Sequence, residues 1–225
     1  MTAARIGSPK GYRGVGMEGM VATWYARNTG RDLRRFKETA REVAARVAPG
    51  ARILEVAPGP GYLAIELAGR GYKVTALDIS ETFVQIARQN AAAAGVAVDV
   101  RQGNASEMPF ADESFDFIVC TAAFKNFSDP GGALREMHRV LRPGGQASIQ
   151  DLRKDATRDE IDAEVQAMHL SPLNALVTRW TFRTVLMKRA YTRETIERLA
   201  RASCFSRHEI LPSGIAFELR LAKAA

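Results

Sequence analysis

The chain has 225 residues, 46% apolar and 25% charged, which suits one globular domain with a full core and room for a lid. Its two cysteines, Cys120 and Cys204, stand in no metal or redox spacing. The first 19 residues hold no apolar leader core, and no uncharged run approaches a membrane span. A disulfide scaffold, a thiolate metal site and a spanning helix are thereby excluded, and a reducing, cytoplasmic setting is expected.

The net charge of +7 is unevenly placed. Residues 1–50 hold 10 Lys/Arg against 4 Asp/Glu, residues 51–150 hold 9 against 11, and residues 151–225 hold 13 against 10. Basic flanks around a slightly acidic centre fit a solvated surface, or attraction to an anionic substrate, RNA or a membrane.

In chain order, Gly7, Gly11, Gly14, Gly16 and Gly19 precede Met20-Val21-Ala22-Thr23-Trp24-Tyr25, whose aromatics either cap a ligand pocket or plug a surface groove. Leu33, Phe36, Ala40, Val43 and Val47 recur at helical spacing, and Pro49-Gly50 stops that helix. A first strand is predicted over 51–56, followed by a helix running to about Gly69-Arg70-Gly71. A second strand over 72–77 ends at Asp78, and Ser80 caps a helix that closes at Gly95. Strands follow at 96–101 and 115–121. Asp129-Pro130 starts a helix, and Pro143-Gly144-Gly145 ends it before a fifth strand at 146–150.

Strands alternating with helices at this spacing mean βαβ units and a parallel sheet. Residues 155–190 then read as two helices, the second apolar on several faces and so a lid or a dimer contact. Thr192 caps a last helix, and 206–210 with 215–221 form an antiparallel hairpin around Pro212-Ser213-Gly214.

The chemistry centres on Glu55-Val56-Ala57-Pro58-Gly59-Pro60-Gly61, a strand running into a glycine turn and a helix start. Glycines there let backbone approach a nucleotide cofactor without a Cβ in the way. Asp78 lies 17 residues after Gly61 at the tip of the next strand, where a carboxylate accepts from ribose hydroxyls. An NAD-type site and an adenosyl site share both features.

These stretches, followed by Ala76-Leu77-Asp78-Ile79-Ser80, Gly103-Asn104-Ala105, Met108-Pro109-Phe110, Phe115-Asp116-Phe117-Ile118-Val119 and Leu141-Arg142-Pro143-Gly144-Gly145, occur in an order that resembles the class I S-adenosylmethionine-dependent methyltransferases. The branch with the ubiquinone/menaquinone-biosynthesis C-methyltransferases is the most similar. The resemblance implies a doubly wound, Rossmann-like α/β fold: a mostly parallel sheet with an antiparallel C-terminal hairpin strand, helices on both faces and a small helical lid. One domain is expected over 1–225, with an N-terminal helical cap (1–50), a cofactor-binding core (51–150), a helical lid (151–190) and a C-terminal helix and hairpin (191–225).

The resemblance also implies S-adenosyl-L-methionine as cofactor and S-adenosyl-L-homocysteine as product. Ala57, Gly59 and Gly61 would surround the methionine part, Glu55 would hold its ammonium end indirectly, and Asp78 would take the ribose. Ile79 would lie against the adenine, Asn104 and Ala105 would bond its edge, Thr121 would line the sulfonium, and Tyr25 would close over the ligand. Ala57 stands where many members have glycine, which a negative φ there would tolerate. Asn104 stands where an acid is common.

For proton transfer the candidates are Lys125, in the loop after the fourth strand, and His169, beside the lid helix. No metal cluster is visible. No Asn/Asp-Pro-Pro-aromatic turn follows the fourth strand, so a small, aromatic or lipid-like acceptor fits better than a nucleic acid. An RNA-directed methyltransferase and a non-catalytic cofactor-binding interaction protein remain open, as does a homodimer through the lid helices.

Overall fold

The computed structural model describes residues 11–13, 17–30, 33–167 and 171–225. A seven-stranded sheet, in the order β3-β2-β1-β4-β5-β7-β6, forms its centre. The strands are β1 (Arg52–Val56), β2 (Lys73–Asp78), β3 (Val98–Gln102), β4 (Phe115–Thr121), β5 (Leu141–Leu152), β6 (Arg207–Ser213) and β7 (Ala216–Ala222). Pairs among β1 to β5 are parallel, and β7 runs antiparallel to both β5 and β6. The expected Rossmann-like fold is present, hairpin included.

Alternation along β1 splits the core. Ile53 packs with Leu63, Leu67 and Val84 on the face covered by α2 (Arg34–Ala44), α3 (Tyr62–Ala68) and α4 (Glu81–Ala93). Leu54 packs with Leu134, Met137 and Ile196 on the face covered by α5 (Pro130–Val140) and a later helix, Arg193–Arg201. A third, small core gathers Ile161, Val165, Met187, Ala190 and Ile215. Its helices are α6 (Arg158–Ala167), α7 (Pro172–Thr181), a π-helical turn over Phe182–Leu186, and α8 (Met187–Arg189); the last helix is α9 (Arg193–Arg201).

The caps sit where expected: Ser80 accepts from Phe83 N–H, Asp129 from Gly132 N–H, and Thr192 from Thr195 N–H. One boundary differs. The fifth strand begins at Leu141, not 146, so Pro143-Gly144-Gly145 lies within an irregular start of β5 instead of separating it from α5. There the register jumps from Phe115↔Leu141 to Phe117↔Gln146.

The N-terminal helix α1 (Gly19–Thr29) is clasped to the N-terminus of α4. Glu18 accepts from the Glu81 and Thr82 N–H groups and from the Thr82 hydroxyl, and Ser80 Oγ donates to Met17 O at 2.7 Å. A carboxylate at a helix N-terminus meets unpaired N–H groups and the positive end of the dipole, so this clasp is favourable twice over. The glycine-rich start also adds an edge to the loop after β4: Tyr12 bridges Phe127, and Arg13 N–H donates to Asn126 O at 2.7 Å.

Ala57 corrects the sequence expectation. Its φ is +56°, not negative, and Ala122 matches it at +57°. Both residues end neighbouring strands, β1 and β4, at the point where the strand order reverses. A Cβ in this region costs about 1–2 kcal/mol, and glycine gives back about 0.4–1 kcal/mol in unfolded-chain entropy. Ala57→Gly and Ala122→Gly are therefore each expected to stabilise by about 0.5–1 kcal/mol net. Urea unfolding checks this, and a loss of stability in both would show that the strain is not real.

Candidate active site

The strained pair marks the C-terminal edge of the sheet at its switch point, where open α/β sheets bind ligands. On the β1 side sits Glu55, in a strand whose other inward residues are apolar. It pairs in register with Ala76 and Val119 and is 1% exposed. Its carboxyl accepts from the N–H of Ala64, in the first turn of α3, while Oε2 has no partner among the described residues. Gly61 is the N-cap of α3 and offers no side chain, so Glu55 caps that helix from the neighbouring strand. Burial, then the nearby Asp78 charge, drives its pKa up to about 8 against the pull of the Ala64 N–H.

Asp78 holds the glycine turn. Oδ2 accepts from Gly59 N–H at 3.0 Å and Oδ1 from Ser80 N–H at 2.9 Å. Burial raises its pKa to about 6. Each oxygen has taken one N–H, so each retains acceptor capacity for a hydroxyl. The other turn amides are satisfied internally: Ala57 N–H bonds Leu77 O and Gly61 N–H bonds Pro58 O. This turn is a braced wall, with little of the open N–H cradle a phosphate requires.

The two glycines have different jobs. At Gly59 (φ +55°) an added Cβ would only touch Tyr25 and Phe83 at 4.0 Å, so that space faces the cleft. At Gly61 (φ +80°) a Cβ would come within 2.9 Å of Ala87 Cβ, so Gly61 serves the close packing of α3 on α4. Tyr25 stands edge-on to Phe83 at 5.9 Å and lines the same cleft.

Ile79 and Asn104 do form one wall, and Gly11 lies on it. A Cβ at Gly11 would meet Ile79 Cδ1 at 2.6 Å and Asn104 Cγ at 3.0 Å. Asn104 Oδ1 accepts from Ser106 N–H at 3.0 Å, which shapes the turn beside Ala105. The phenol of Tyr12 is pushed up by burial, with Arg189, Asp78 and Tyr25 among the charges and phenols that act on it. The cleft is thus roofed by residues 11–13.

On the β4 side, Thr121 is half-buried and pairs with Gln150. Lys125 is only 8% exposed. Its Nζ donates to Asp151 Oδ1 at 2.8 Å and to Ala122 O at 2.7 Å, and Asp151 Oδ2 accepts from Lys125 N–H at 2.7 Å. It is a buried ion pair that ties the 121–127 loop to the end of β5 and holds the strained Ala122 carbonyl. His169 lies outside the described residues.

Sequence reasoning missed two groups here. Tyr191 puts a buried, unpartnered hydroxyl near Arg13 and Asp151 and packs on Phe124. Glu18 builds the clasp described above. Nothing local announces either, since both meet their neighbours through long-range contacts. Among the described residues no group of His, Cys, Asp or Glu could hold a metal ion.

The fold and site define a doubly wound α/β protein with a braced glycine turn at the switch point of its sheet. The family model described as a methyltransferase domain matches residues 54–149. The chain is 38% identical over 107 residues to a ubiquinone/menaquinone biosynthesis C-methyltransferase of Geotalea daltonii (45% of this chain, 46% of that protein). It is 40% identical over 122 residues to a demethylmenaquinone methyltransferase of Thermus thermophilus (53% and 54%). The chain spans about half the length of the curated relatives it matches.

Solved structures share the fold. One from Methanococcus maripaludis superposes with a TM-score of 0.75 at 23% identity, covering 95% of this chain and 96% of that one. The [4+2]-cyclase SpnF superposes at 0.65 and 21% identity, covering 84% and 81%.

Two outcomes follow from this geometry. Glu55 and Asp78 have folded-state values above their ordinary 4.5 and 3.8, so the native state binds more protons and stability falls as pH rises from about 4.5 to about 8. Glu218 and Glu136, whose values are lowered, act below that window. Denaturant titrations across pH 4.5–8 are expected to show this fall, with a flatter slope in Glu55→Gln; an unchanged slope would remove Glu55 as its source. Lys125→Ala strands a buried carboxylate and is expected to cost about 3–5 kcal/mol. A loss within ~0.5 kcal/mol would mark Lys125 as a surface group.

Proposed function

We propose that this chain is an S-adenosylmethionine-dependent methyltransferase acting on a small aromatic or lipid-like molecule. The observation that carries this is Glu55. A dinucleotide site directs a pyrophosphate at the N-terminus of the first βα helix; here that helix end already bonds a buried carboxylate with one free oxygen. Such a group repels a phosphate and fits an ammonium, which the methionine end of the cofactor bears. Asp78 has acceptor capacity for ribose hydroxyls, and Ile79, Asn104 and Ala105 supply a wall for a flat base. The residues present fit the group.

When bound, S-adenosylmethionine supplies a methyl already activated as an electrophile. The chain's work is then binding, orientation and exclusion of water. Glu55 and Asp78 fix the two ends of the ligand along β1 and β2, and Thr121 and Ala122 form the neighbouring floor. The Lys125–Asp151 pair would serve as a positioning device that keeps the floor in place. Residues 11–13 and Tyr25 close the cleft above, and holding an acceptor in line there provides much of the rate.

The fourfold division into cap, core, lid and C-terminal hairpin belongs to this reading, as does a cytoplasmic setting with free Cys120 and Cys204. The names of the relatives place quinone-type lipids foremost among acceptors to screen.

A parallel thermal-shift titration with S-adenosylmethionine, S-adenosylhomocysteine and NADH tests the cofactor. Stabilisation of about 2.7 kcal/mol at a hundredfold excess over Kd is expected from the two adenosyl compounds alone. Asp78→Ala is expected to weaken that binding by about 1.5–3 kcal/mol, roughly 10- to 150-fold by calorimetry. A response to NADH only would sink the reading.

A further inference from the structure

Among the described residues the exposed large apolar side chains are six: Met20, Val21 and Trp24 on α1, and Leu176, Val177 and Trp180 on α7. Scattered exposed apolar residues need no explanation, but a concentration on two helices does. The pattern repeats at i, i+1 and i+4 with tryptophan last, which covers an arc of about 100° on each helix. Trp24 is 68% and Trp180 62% exposed.

α1 and the far end of the α7–α8 run both reach residues around the Gly59 turn and the 11–13 segment. From α1, Tyr25, about 100° round the helix from Trp24, packs edge-on against Phe83. The helical run that begins with α7 ends at Arg189, whose Nη1 lies 3.5 Å from Arg13 O in the roof, and Arg189 and Tyr25 both act on the Tyr12 phenol.

Charge selects the occupant. Residues 19–29 carry Arg27 and no carboxylate; residues 172–189 carry Arg179, Arg183, Lys188 and Arg189 and no carboxylate. Arg179 is bound to Asp162 of α6. A second copy of this chain would set cations against cations across such a face. An anionic bilayer complements both properties, because tryptophan and aliphatic side chains settle at the headgroup boundary while Lys and Arg meet lipid phosphates. No described helix is long and apolar enough to cross a membrane, so the contact is a surface one.

We propose that α1 and α7 form a docking surface for an anionic lipid bilayer, which sets the mouth of the cleft against the membrane. The binding itself does not rest on methyl transfer, and its test is independent of activity.

The chain's two tryptophans are Trp24 and Trp180, so tryptophan emission reports this surface alone. The full chain is mixed with vesicles of phosphatidylglycerol and phosphatidylcholine, or of phosphatidylcholine only, and followed by emission and co-sedimentation. A blue shift on the anionic vesicles, sedimentation that weakens with salt, and the same shift from Trp180 alone in Trp24→Ser are expected. The double variant Trp24→Ser/Trp180→Ser is expected to lose about tenfold or more in vesicle binding with an unchanged melting temperature.

No blue shift on anionic vesicles overturns the proposal, as does full binding by the double variant. A blue shift that grows with protein concentration alone, with a doubled mass by light scattering, assigns the face to a second copy. A response to RNA and not to vesicles assigns it to nucleic acid.

Discussion

A carboxylate buried in the middle strand pairing of a parallel sheet is the constraint on which this site depends. Glu55 is buried, bonds one helix N–H and leaves an oxygen without a partner among the described residues. In an apolar strand such a group is a liability unless a cation arrives, since an uncompensated charge in low dielectric is either neutralised or paired. Burial raises its pKa to about 8, and a cation placed beside it would favour the ionised form. Asp78 repeats the arrangement one strand over. Its two backbone bonds brace the glycine turn, and its remaining acceptor capacity faces the cleft.

Around these acids the structure stores strain at matching points. Ala57 and Ala122 take the left-handed conformation at the ends of adjacent strands. Each is held by long-range bonds: Ala57 by Leu77 O, Ala122 by Gln150 O and by the Lys125 ammonium on its own carbonyl. Strained positions persist only where the surroundings over-determine them, and clustering beside a cleft is the pattern of functional sites. The buried Lys125–Asp151 pair then has a physical purpose beyond stability, to which such pairs contribute weakly. It fixes one conformation of the floor.

The strands and their alternation with helices were legible because each buried strand is a short apolar run bounded by glycine, proline or a capping residue, as at Ser80 and Asp129. Glu55, Asp78 and the glycines were legible because the chemistry needs those residue types at those spacings. What escaped was set by distance and dihedral. Alanine at 57 gives no sign of a positive φ, since only the surrounding fold imposes it. The ion pair of Lys125 was hidden because its partner lies 26 residues away, on the next strand. The roof over Ile79 was hidden for the same reason, as Gly11 reaches it from the far end of the chain. The start of β5 was misplaced because Pro143-Gly144-Gly145 has the composition of a turn, yet the sheet accommodates it as an irregularity.

Fold alone does not decide what such a cleft does. The same architecture carries a [4+2]-cyclase, so the difference must lie in the groups placed at the switch point and in what covers it. Here the covering elements, α1 with the roof and the α7–α8 run, differ from the acidic core in charge and in exposed apolar bulk. A small polar acceptor would need neither. An acceptor drawn from an apolar phase would need a route that avoids water, and a rim of tryptophan and aliphatic side chains over a half-buried cleft supplies one. On the methyltransferase reading, selection of the acceptor would be a property of the rim, while the sheet edge below it would select the cofactor.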